Sequence, residues 1–465
     1  MSCKKYSFLF LVTSLAVIFH GCDVFSSGDE DVGAAFSEQE INSGGATTVY
    51  DAGTNAFSRP APNLSDAALE KHNAGDAEFE ASFVTAPAEV NGGLGPLFNN
   101  SNCSSCHVND GRGKPFFDDG SISSVLVRIS LNGDEPGDPI PVDGFGLQIQ
   151  NKAVYSKVPE ADVEAIYDYI TEQLDDGTEV ELRDPTYQVL NPYKPIPSNA
   201  NTSVRTAPPV FGLGLLEAIP EQQIMANADP NDTDDDGISG KANYVMNDST
   251  NQRELGRFGW KANQPTVIQQ VARAYQQDMG VTTPYYPHDN DYGYPEAEDG
   301  LDDDPELSQQ ILEQTTFYVQ TLGVPAKRNA ENPIVKQGRE LFQQAGCQSC
   351  HTPQFTTSTN TDIDALAGQT IFPYTDLLLH DMGEGLADHR SDFKASGREW
   401  RTPPLWGIGL VEVVNGHQSF LHDGRAQSIL EAILWHGGEA QKSKEFVKQL
   451  SENERKALVK FVKSI

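Results

Sequence analysis

A mainly α chain made of two tandem units, the first carrying a small β insert, is the fold class predicted by three observations. Two C-x-x-C-H pentapeptides occur, Cys103-Ser-Ser-Cys106-His107 and Cys347-Gln-Ser-Cys350-His351. A later stretch is also duplicated, Arg205-Thr-Ala-Pro-Pro-Val-Phe-Gly-Leu-Gly-Leu-Leu-Glu217 being answered by Arg401-Thr-Pro-Pro-Leu-Trp-Gly-Ile-Gly-Leu-Val-Glu412. Each unit then closes on a stretch with helical spacing of apolar residues, Glu306 to Leu322 and Glu452 to Ser464.

The elements follow in order. Lys4 and Lys5 precede the apolar run Phe8 to Phe19, too short to cross a bilayer and followed by Gly21-Cys22. Residues 1–21 therefore read as an export signal, and Cys22 as the lipid-bearing start of a lipoprotein on the periplasmic side of the cell envelope. Phe19 and His20 depart from the small residues usual at such a site, so plain secretion or an uncleaved anchor stand as alternatives. With Cys3 removed and Cys22 acylated, no thiol is left outside the two pentapeptides. Residues 22–60, rich in Ser, Gly, Asp and Thr, read as a flexible tether.

The first unit spans 61–325 and contains the insert, where Val125-Leu-Val-Arg-Ile-Ser-Leu131 predicts a strand and Glu160 to Leu174 a helix. The second unit spans 326–465. Asn332-Pro333 is a cap and first-turn proline for a helix through Gln344, and Ser451 with Glu454 makes a capping box for the last helix. Those two helices are expected to cross, with Gly338 letting the backbones close on the Phe461 side.

Acidic residues outnumber basic ones 67 to 33, a formal charge of −34, which argues against nucleic acid and against direct adhesion to anionic lipid. A cationic partner would be steered in, although such acidity also serves solubility alone.

Two thiols one helical turn apart, with an imidazole directly after them, are what covalent c-type haem requires: thioether bonds to the two vinyl groups and an axial ligand. A zinc ribbon would not need a His after each pair, and a redox dithiol would not come twice. Two covalently bound c-type haems are expected, held by Cys103, Cys106 and His107 and by Cys347, Cys350 and His351, and the fold class becomes two tandem cytochrome c-like domains. Arg205 and Arg401, at matching repeat positions, are candidates to hold haem propionates or to support the interface. Asp232, Asp234 and Asp236 before Gly237 place carboxylates as a hard cation needs, which points to calcium; the twelfth position is Asn243 in place of Glu, and a solvated acidic loop is the alternative.

The stretch Phe420-Leu-His-Asp-Gly-Arg-Ala-Gln-Ser-Ile-Leu-Glu-Ala-Ile-Leu-Trp-His436 resembles the closing motif of the bacterial dihaem cytochrome c peroxidases. Within that superfamily the chain most resembles the branch of dihaem, or thiol, oxidoreductases, through Cys103 to Gly113, Leu377-Leu-Leu-His-Asp-Met-Gly383 and Arg401-Thr-Pro-Pro-Leu-Trp-Gly407. The resemblance implies that His436 replaces the usual Met as sixth ligand of the C-terminal haem, which would lower its potential; His380, Met382, His417 and His422 are the other candidates. It also implies catalytic roles for Trp260 between the haems and for Gln270 and Asp278 on the distal side of the N-terminal haem. Lys261-Ala262 stands where the family has Asp-Gly, and Asp278 where it has Glu.

The function implied is peroxide reduction with electrons from a small redox protein. The alternatives are electron relay without catalysis and haem-dependent oxidation of a protein or thiol partner.

Overall fold

The computed structural model describes residues 34–465, so the expected signal 1–21 and Cys22 lie outside the described residues. Helix α1 (Asp66–Glu80) starts at Ser65, whose side chain accepts the Ala68 N–H. Such a cap contributes about 0.5–2 kcal/mol to a helix that could not otherwise satisfy its first donors.

The insert follows α1. Strands β1 (Val125–Ser130), β2 (Gln148–Ile149), β3 (Asp162–Gln173), β4 (Glu179–Leu190) and β5 (Asn201–Thr206) form two sheets, one in the order β2-β1-β5 and one a β3-β4 hairpin. Beyond it come helices α2 (Val267–Met279), α3 (Gln309–Thr321), α4 (Pro333–Gln344), α5 (Ile429–Trp435) and α6 (Glu452–Val462). The Asn332 cap, the proline first turn of α4 and the Ser451–Glu454 capping box of α6 are all present.

Helix α1 packs on α3 and α4 on α6. Glycine makes both contacts close: a Cβ at Gly75 would meet the Gln314 carbonyl oxygen at 2.1 Å, and one at Gly338 would meet that of Ala457 at 2.0 Å.

The expectation of a mainly α fold is overturned, and the arrangement of two cytochrome c-like domains is not shown. The described residues are 28% helical and 19% strand, with several small sheets. The largest error lies at Glu160 to Leu174, read as a helix and found as the twelve-residue β3, paired antiparallel with β4 from Asp162↔Leu190 to Gln173↔Glu179. Val163 and Ala165 are buried on alternate positions against the insert's own core, and Ile166, Tyr167, Tyr169, Ile170 and Thr171 are types that fit a pleated surface. Period two prevailed over the helical spacing that the same residues also satisfy.

The two halves share buried contacts. The main buried cluster runs from Phe36 to Ile465 and draws on both. The β3-β4 hairpin, from the first half, docks on the second: Arg183 donates to the Gly424 carbonyl at 2.8 Å and Tyr187 to Asp423 at 2.8 Å. Residues 34–60, read as tether, contribute Phe36, Ala56 and Phe57 to that cluster, and Thr48–Val49 pairs in parallel with Val324–Pro325. Among the described residues no helix is long and apolar enough to cross a membrane.

Candidate functional site

Each pentapeptide ends in an imidazole fixed from behind. His107 Nδ1 donates to the Pro208 carbonyl at 2.7 Å and His351 Nδ1 to that of Tyr374 at 3.0 Å. Nδ1 as donor makes Nε2 the lone-pair nitrogen, the tautomer of a metal ligand. Burial pushes both imidazoles down to about 4, so both are neutral, with the carbonyl bond opposing in each case. Phe79 lies 6.3 Å from the His107 ring at 53°, and Phe342 lies 6.3 Å from the His351 ring at 52°.

The four thiols are unpaired and line, with both imidazoles, one continuous cavity of about 440 Å³. Burial pushes Cys103 and Cys347 up to about 12 and Cys106 up to about 11, which keeps those three thiols neutral. Unpaired thiols, neutral imidazoles and a largely apolar cavity fit two haems. The buried Arg205 Nη2 makes no hydrogen bond, although the Asp388 carboxylate lies 3.7 Å away.

On the C-terminal side, His436 sits at the end of α5, where Ser428 caps the start, and lines the cavity. Its Nδ1 donates to the Ala432 carbonyl at 2.7 Å, and burial lowers its pKa. His436 is close enough to His351 to add to the lowering of the His351 pKa, after burial. His380 also reaches the cavity but has both nitrogens occupied, Nδ1 by Glu439 and Nε2 by Asp376, each at 2.7 Å. Burial opposes its charge, yet hydrogen bonds to Asp376, Cys350 and Glu439 prevail and hold the imidazolium well above its ordinary range. His417 is engaged by the Arg112 carbonyl at 3.0 Å, and His422 stacks on Trp400 at 3.7 Å and 13°. Met382 lines the cavity.

On the N-terminal side, Trp260, Gln270 and Asp278 all line the cavity. Trp260 Nε1 donates to the Thr206 carbonyl at 2.8 Å. Asp278, near the end of α2, accepts from Gln148 Nε2 at 2.7 Å, and burial raises its carboxyl to about 6. That is the range in which a carboxyl both takes and gives protons.

The sequence reading missed what the insert supplies here. Val125, Val127 and Ile129 of β1 face the insert's core, so Arg128 faces the other way, into the cavity, with Gln148 directly opposite on β2. The alternation in Val125-Leu-Val-Arg-Ile was the available signal.

Arg205 lines the cavity and pairs with Asp392 at 3.1 Å and Asp388 at 3.7 Å. Lys261 is fully buried and pairs with Asp388 at 2.7 Å, its ammonium pushed down to about 8 by burial. Arg401 lines the cavity too, donating through Nε to the Gly259 carbonyl at 2.9 Å.

Oxygens of Asp232, Asp234 and Asp236 gather within 4.8 Å. Asn243 is engaged elsewhere, its amide donating to the carbonyls of Lys261 at 2.7 Å and Asp392 at 3.0 Å. Ser239, just past the loop, donates to Glu439 at 2.6 Å and so links the loop to the His380 clamp. A second acidic cluster, Asp289, Asp304 and Glu306, was not singled out from sequence.

A family model described as "Di-haem oxidoreductase, putative peroxidase" matches residues 38–465. No curated protein and no solved structure matches the chain.

Proposed function

The chain belongs to the di-haem oxidoreductase family, and from that premise we propose that it is an exported c-type cytochrome that reduces peroxide with electrons from a small redox protein. Two haems and oxidoreductase chemistry come with the family. On this reading Cys103, Cys106 and His107 hold one haem, and Cys347, Cys350 and His351 hold the other. Bound there, each group would supply iron chemistry of one-electron transfer and ligand binding.

The protein's own residues divide the work. His436, neutral and with Nδ1 fixed, serves as the second ligand on the C-terminal side. His380, held charged between two carboxylates, does not compete for that place. Asp278 takes a proton from one peroxide oxygen and returns it to the other, in a reduction that consumes two electrons and two protons and yields two waters. Trp260 lies on the wall shared by both motifs, where an indole shortens the path for electrons, and Gln270 lines the same pocket. Arg205 and Arg401 hold propionates. Calcium at Asp232, Asp234 and Asp236 stiffens the loop behind Glu439, the acidic surface steers a cationic donor, and Cys22 carries the lipid tether on the periplasmic side.

The observation that supports this most is the buried Asp278 carboxyl, raised to about 6, on the cavity wall beside Cys103 and Cys106. The experiment mixes holoprotein with a reduced small cytochrome and peroxide and follows donor oxidation. Turnover above a haem-free control is expected. No oxidation beyond that control would abandon the peroxidase reading in favour of electron relay.

A further inference from the structure

The insert's sheet presents a polar row to the cavity. Gln148 on β2 lies directly opposite Arg128 on β1, and Arg205 on β5 lies opposite Leu126 two residues away; all four line the cavity. Arg128 Nη1 donates to Gln148 Oε1 at 2.9 Å and also to Gln277, while Gln148 Nε2 donates to Asp278 Oδ1 at 2.7 Å. One buried amide therefore joins a guanidinium to the acid–base carboxyl and orients both. Arg128 Nε has no hydrogen-bond partner, and Asp278 Oδ2 accepts no hydrogen bond among the described residues.

The surroundings leave the row cationic. Arg128 is under the fields of Arg390, Asp392, Arg205 and Asp278. Asp392 is already committed to Arg205 and Arg390, each at 3.1 Å. An unmet cation beside a proton-accepting carboxyl is suited to a weak acid that must ionise in place.

We propose that Arg128 is the anion-binding residue of the N-terminal pocket, taking a hydroperoxide whose O–H bond breaks with the proton passing to Asp278 Oδ2 and the negative oxygen facing the guanidinium. The inference rests on the peroxidase reading and deepens it: the β insert builds the oxidant's binding wall.

The test titrates ferric holoprotein with azide, an anion, and with imidazole, a neutral ligand, and reads the Soret band. Wild-type protein is expected to bind both. If it binds neither, the pocket is closed and the peroxidase reading itself fails. With Arg128→Gln, loss of one charge-assisted contact predicts azide binding weaker by about tenfold or more, with imidazole unchanged. Azide binding equal to wild type would overturn the proposal. So would a change confined to haem retention or reduction potential, which would make Arg128 a holder of a porphyrin carboxylate. Should Arg128→Gln fail to take up haem, Arg128→Lys is read the same way, because an ammonium keeps the charge and loses the planar fork. Azide binding weaker by about threefold with imidazole unchanged supports the proposal, and unchanged azide binding overturns it.

Discussion

The two C-x-x-C-H pockets are near copies behind the imidazole and unlike across the cavity. Behind the imidazole each has a backbone carbonyl on Nδ1 and a phenylalanine 6.3 Å away at almost the same tilt. Across the cavity they diverge. The C-terminal pocket offers His436, with Nδ1 fixed, and keeps His380 charged and occupied. The N-terminal pocket offers an acid, an amide and a guanidinium: Asp278, Gln148 and Arg128. Duplication preserved what holds a cofactor, and the insert changed what can approach it.

The largest expected effect breaks the N-terminal half of that contrast. Asp278→Asn removes the proton acceptor but keeps the shape, and peroxide turnover is expected to fall by about a hundredfold or more with unchanged absorption spectra. His436→Ala attacks the other half: the C-terminal haem is expected to turn from low to high spin in the optical spectrum, making both pockets open.

A pH profile sharpens the contrast without mutation. Burial raises the Asp278 carboxyl to about 6, so below that pH it is protonated and cannot accept a proton. Peroxide reactivity is therefore expected to fall as pH drops through about 6, and the Asp278→Asn variant to lose that limb.

The scaffold predictions are smaller. Gly75→Ala and Gly338→Ala each force a methyl against a carbonyl and are expected to cost about 1–3 kcal/mol by denaturant unfolding, equally in the two helix pairs. Ser451→Ala removes one side of the α6 capping box for about 1 kcal/mol.

What could be read from sequence was whatever lies local to a motif. The pentapeptides, the Asn332 and Ser451 caps and the Gly338 contact depend on residues within a turn of one another, or on one size constraint. The helix expected at Glu160 to Leu174 failed because its side chains suit both periods, and the strand is selected by contacts distant in sequence: burial of Val163 and Ala165 in the insert's core and docking of the β3-β4 hairpin on the second half. Trp260, Gln270 and Asp278, candidates through the resemblance, are among the residues lining the cavity, whereas Arg128 and Gln148 were missed because their contacts with Gln277 and Asp278 of α2 span more than a hundred residues. Asn243, counted as the twelfth position of a calcium loop, packs instead against Lys261 and Asp392, a long-range contact that spacing alone does not reveal.

The most direct test of the account is the spin state of the two irons in the purified ferric holoprotein, read by electron paramagnetic resonance before and after one equivalent of donor electrons. The account predicts one low-spin centre that His436→Ala converts, together with one centre that is or becomes high-spin and reacts with peroxide. Two low-spin centres inert to peroxide in both redox states would contradict it.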